Sequence, residues 1–88
     1  MYNFLVLEEI SSIGINLLKQ KNFTVLMKLG IDRSSQLLAV GDADAIIIKS
    51  ITQVNKNFLD AAKNLKIIGR AGAGLDNIDI QECQKRNI

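Results

Sequence analysis

Ala45-Ile46-Ile47-Ile48 is a run of four apolar residues with no polar residue between them, and three more short apolar runs accompany it. A strand with one face in water alternates apolar and polar residues, whereas a strand covered on both faces does not. Phe4-Leu5-Val6-Leu7, Phe23-Thr24-Val25-Leu26-Met27 and Lys66-Ile67-Ile68 read as strands of the same kind. Helical patterns separate them. Ile10, Ile13, Leu17 and Leu18 recur at helical spacing after the first run. Asp32 is placed to cap a short helix through Leu37 and Leu38 that ends near Gly41. Asn55 is placed to cap a helix carrying Phe58, Ala62 and Leu65, and Asp79-Ile80-Gln81-Glu82 has the form of a capping box. Strands and helices in this alternation specify an α/β domain, a doubly wound parallel sheet with right-handed crossovers.

Eighty-eight residues make one domain. Eleven basic and nine acidic residues leave a net charge of +2, too small and too scattered to serve as a nucleic-acid footprint. The N-terminal apolar run is only four residues and lacks a basic leader, so neither a signal peptide nor a membrane span is expected. A single cysteine, Cys83, fits a reducing compartment, and the expected location is cytoplasmic. Without any histidine the chain lacks the usual neutral-pH general base.

Ligands of open α/β sheets gather outside the carboxyl ends of the strands, which directs attention to the loops after Leu7, Ile48 and Ile68. In the last of these, Gly72 and Gly74 let the backbone turn sharply and approach a ligand, and Arg70 offers a planar, permanently charged fork for a carboxylate or phosphate. The plainer alternative is a glycine-rich turn beside a surface arginine. Gly72-Ala73-Gly74-Leu75-Asp76-Asn77 nearly spells the dinucleotide pattern G-x-G-x-x-G, but Asn77 stands where the third glycine belongs. It is therefore not read as a nucleotide-binding turn. Lys49 and Ser50 open the loop after the third strand, where a cation and a hydroxyl suit an anion, or where a solvated lysine simply ends a strand. Parallel neighbours lie about 4.8 Å apart, so Lys49 and Arg70 are expected to reach one small anion together. Asp76 is expected to brace the loop, Asp79 to cap the last helix and Cys83 to be packed rather than nucleophilic.

Asp60 to Asp79, with Ile67-Ile68-Gly69-Arg70-Ala71-Gly72-Ala73-Gly74-Leu75-Asp76-Asn77-Ile78-Asp79 at its heart, resembles the D-2-hydroxyacid dehydrogenases, most closely their 3-phosphoglycerate-oxidising branch. Ala43-Asp44-Ala45-Ile46-Ile47-Ile48-Lys49-Ser50 resembles an earlier strand and loop of the same family. The resemblance implies a flavodoxin-like substrate-binding domain, of which residues 1–88 would be the incomplete N-terminal portion, with a separate Rossmann domain absent here. It implies NAD as cofactor, a small anionic 2-hydroxy acid as substrate, a place in serine biosynthesis and a homo-oligomeric full-length protein. Arg70, Lys49 and Ser50 would contact the substrate's anionic groups, and the backbone of Gly72, Ala73 and Gly74 would hold its carboxylate, with Ala73 touching the cofactor. Lys49 stands where the family pattern has arginine, which supplies charge without a two-pronged fork. Glyoxylate or D-lactate dehydrogenases, and a non-catalytic binding module of the same fold, are the alternatives. The family's catalytic residues match nothing in these 88 positions, so the chain alone is expected to be inert and, with an unpaired edge, prone to associate.

Overall fold

The computed structural model describes every residue except Met1, Asn22 and Ala73. Four parallel strands, β1 (Asn3–Val6), β2 (Thr24–Met27), β3 (Ala45–Ile48) and β4 (Ile67–Arg70), form one sheet in the order β2-β1-β3-β4. The helices are α1 (Ser12–Gln20), α2 (Arg33–Ala39), α3 (Lys56–Ala61) and α4 (Ile80–Lys85), with a 3₁₀ turn over Val40–Asp42. The expected parallel α/β architecture is thus present, with β1 and β3 at the centre.

Pairing register determines which residues share a face. Leu5 pairs with Ile46, and Ile46 with Ile68, so these three point the same way. Together with Leu7 and Ile48 they meet Val40, Phe58, Leu59, Ala62, Leu65 and Cys83 in the main core. All three caps foreseen from the sequence are made by side chains: Asp32 accepts from the Ser35 amide, Asn55 from Phe58 and Asp79 from Glu82. The capping box around Asp79 is only half built. The Asp79 amide donates to the Val54 carbonyl at 2.9 Å, and Glu82 turns instead to Arg86.

Two sequence expectations shift. Ser11 caps α1, which leaves Ile10 outside the helix, and the sheet takes Ile15 rather than the Ile13/Leu17 stripe. Ile13 is 78% exposed, because this helix carries apolar residues on more than one side and periodicity alone does not say which side the sheet selects. The last strand also runs two residues beyond its apolar stretch, so Gly69 and Arg70 belong to β4 and not to the following loop. Arg70 is paired with Ile48, which fixes its backbone in the sheet.

Candidate functional site at the carboxyl edge of the sheet

Beyond β3 and β4 the chain runs as two adjacent loops. The Val54 amide donates to the Asn77 carbonyl at 2.8 Å and the Asp79 amide to Val54, a short parallel bridge between loops 49–55 and 71–79. The second loop turns at Gly72 and Gly74, whose φ angles are +134° and +85°, values that side-chain-bearing residues rarely adopt. Gly72 has a second reason to lack a side chain: a Cβ there would lie 3.3 Å from Nη1 of Arg70. Ala73, named above for substrate and cofactor contact, lies outside the described residues.

Asn77 joins the two loops. It is buried, its Oδ1 accepts from Nε of Arg70 at 2.8 Å, and its Nδ2 donates to the carbonyls of Lys49 and Thr52, both at 2.7 Å. These partners also fix the amide's orientation, since a flipped group would set donor against donor and carbonyl against carbonyl. The asparagine that spoils the dinucleotide pattern is therefore a structural hub, and two residues separate it from the start of α4 at Ile80.

Glu8, in the loop after β1, holds loop 49–52 from the other side. Its carboxylate accepts from the amides of Lys49, Ile51 and Thr52 at 2.8, 3.1 and 3.0 Å. Burial, the largest single influence, pushes its pKa up, but the amide hydrogen bonds together outweigh it and the net shift is downward from 4.5. A carboxyl group with a depressed folded-state pKa contributes stability that is fully present above its unfolded pKa and lost as pH falls through the folded one. Glu8→Gln is therefore expected to cost about 2 kcal/mol at pH 7, the scale of hydrogen bonds to a charged group. The gap from the unsubstituted protein should close on acidification below pH 4.5. Urea unfolding of both proteins at pH 7 and pH 3 checks this, and a gap that stays constant with pH would count against a charged Glu8 anchor.

Lys49 and Arg70 are not level across the sheet. Ile48, not Lys49, is level with Arg70, so the two cations are offset by one residue. Lys49 is exposed and lines a hollow of about 380 Å³ with Glu8, Glu9, Leu29, Gly30 and Gln36; Arg70 is not among the described residues lining it. The acidic neighbours make that hollow a poor trap for an anion. Ser50 is exposed beside it. Arg70, half-buried at the end of β4, keeps its place beside the Gly72–Gly74 turn. Arg33, which the sequence did not single out, braces the same edge: it donates to the Gln53 carbonyl at 2.7 Å and to Asn55 Oδ1 at 2.9 Å, and lies over the Phe58 ring. Cys83 is buried, and desolvation pushes its thiol pKa up, which removes it as a nucleophile.

Residues 4–88 match the family model described as D-isomer specific 2-hydroxyacid dehydrogenase, catalytic domain. The chain belongs to the D-2-hydroxyacid dehydrogenase family. It is 43% identical over 84 residues to the D-3-phosphoglycerate dehydrogenase of Archaeoglobus fulgidus, covering 96% of this chain. It is 39% identical over all 88 residues to that of Synechocystis. In each case it spans only 16% of the relative's length. Among solved structures, an NAD+-bound 3-phosphoglycerate dehydrogenase from Entamoeba histolytica superposes with a TM-score of 0.88 at 26% identity. That match covers 99% of this chain and 31% of the other. A Pyrococcus horikoshii protein superposes with a TM-score of 0.93 at 31% identity, over 100% of this chain and 26% of its own. Among the described residues, no helix is long and apolar enough to cross a membrane.

Proposed function

We propose that residues 1–88 form the N-terminal portion of the substrate-binding domain of an NAD-dependent D-3-phosphoglycerate dehydrogenase, which oxidises 3-phospho-D-glycerate to 3-phosphohydroxypyruvate. The observation that carries this reading is Arg70, fixed by sheet pairing and by Asn77 beside a turn of two positive-φ glycines. An oriented guanidinium next to backbone that a side chain cannot crowd suits one anionic end of such a substrate. Its role here is to bind and orient, which places the reacting carbon without taking part in bond making.

NAD as the oxidant of the complete enzyme is supported by the family and by the Entamoeba relative, whose structure contains NAD+. The described residues of this chain do not fit a dinucleotide cradle: Asn77 is a buried, fully bonded amide where a glycine would be needed, and α4 does not begin until Ile80. A separate domain would hold the cofactor and supply the catalytic base, and these residues alone would be inert. Cytoplasmic location, homo-oligomeric assembly and a place in serine biosynthesis complete the proposal.

One observation favours a second reading. Lys49 lies among acidic residues and Arg70 is the cation beside the glycine turn, whereas a phosphorylated acid has two anionic ends. A smaller acid such as glyoxylate in the reductive direction, or D-lactate, has only one. A substrate panel on the complete protein separates them. The expected result is a kcat/KM for 3-phosphoglycerate about 100-fold above that for D-lactate, the value of two tenfold steps in binding. A preference for D-lactate would overturn the phosphoglycerate assignment and leave the family intact.

A further inference from the structure

We propose that Asn77 is the positioning residue of this edge, presetting the Arg70 guanidinium for its anion and tying that orientation to loop 49–52; this rests on the reading of Arg70 given above. Three facts carry it. Asn77 is 6% exposed, and its side chain makes one bond to Arg70 Nε and two to the loop's carbonyls. Glu8 holds the amides of the same loop from the opposite side, so the loop is gripped by its donors and its acceptors at once. Gly72 lets Nη1 lie close over the turn, where a Cβ would stand 3.3 Å from it. A long arginine side chain ordinarily loses rotamer freedom when it binds an anion. Held at Nε, Arg70 has lost part of that freedom before the substrate arrives, and the terminal nitrogens meet the anion in one orientation. Asn77 is too deeply engaged with protein to touch the substrate, and it acts through Arg70.

The test is a double-mutant cycle in the complete enzyme, reading KM for 3-phosphoglycerate and kcat for unsubstituted protein, Asn77→Ala, Arg70→Ala and the pair. Asn77→Ala is expected to raise KM about 10-fold while leaving kcat within a few-fold, and to add nothing when Arg70 is already alanine, the non-additivity of residues acting as a unit. An equal rise in both backgrounds, or no rise at all, would overturn the inference while a raised KM in Arg70→Ala kept the site. An unchanged KM in Arg70→Ala would remove the site and this inference with it. Should Asn77→Ala fail to fold, Asn77→Ser runs the same cycle. The Arg70 Nε–H resonance of the unsubstituted protein gives an independent readout: slow exchange with water, kept when 3-phosphoglycerate is added, supports the clamp, and rapid exchange overturns it.

Discussion

Arg70→Ala in the complete enzyme is expected to raise KM for 3-phosphoglycerate on the order of 100-fold, because losing hydrogen bonds between charged partners costs about 1.5–3 kcal/mol and each 1.4 kcal/mol is a factor of ten. The expected effect on kcat is smaller, within about tenfold, since the group anchors an anion rather than the reacting bonds. Arg70→Lys should recover only part of the loss: an ammonium restores the charge but cannot donate from Nε to Asn77 and face an anion with two further nitrogens. Steady-state kinetics of the three proteins, with thermal melts to show that each is folded, make the measurement. A KM in Arg70→Ala equal to that of the unsubstituted enzyme would sink the assignment of this edge.

The largest stability effect is expected at Phe58. Its ring is fully buried in the main core between α3 and the sheet, and the Arg33 guanidinium lies 5.1 Å from its centroid. Phe58→Ala combines lost burial with a cavity, a cost of about 3–5 kcal/mol in comparable cores. A domain of this length has no more than about twice that in hand on the usual scale of roughly 0.1 kcal/mol per residue. Chemical denaturation should therefore show either a large fall in midpoint or an unfolded protein. A shift of less than about 1 kcal/mol would mean that the neighbours collapse onto the site and that Phe58 is not the keystone of this layer.

The strands, their parallel arrangement and the caps at Asp32, Asn55 and Asp79 were legible because each follows from a local rule: an unbroken apolar run, or a short polar side chain ahead of a helical period. The stripe that α1 buries was not, because Ile13 and Ile15 are equally apolar and only the sheet chooses between them. The site was half legible. Two glycines beside an arginine announce a turn that can hold an anion, and both glycines do take positive φ. What the sequence concealed was one residue of register. Apolarity stops at Ile68, but pairing continues through Arg70, which sets Lys49 one residue beyond Arg70's partner Ile48. Glu8 and Asn77 were missed for a related reason. Glu8's three partners lie 41 to 44 positions away, and two of Asn77's three side-chain bonds reach back 25 and 28 positions. A buried asparagine that interrupts an otherwise glycine-rich pattern was the one available hint.

The grip of Glu8 and Asn77 on residues 49–52 has a practical meaning for anyone wishing to retune what this edge accepts. Transplanting that tetrapeptide from a relative would import new side chains onto a backbone whose amides and carbonyls are measured to two distant residues. The transferable module is a discontinuous one, made of residue 8, residues 49–54 and residues 70–79. Swapped as a set it should carry its geometry along, whereas swapped piecemeal it should arrive as a loop without its moorings.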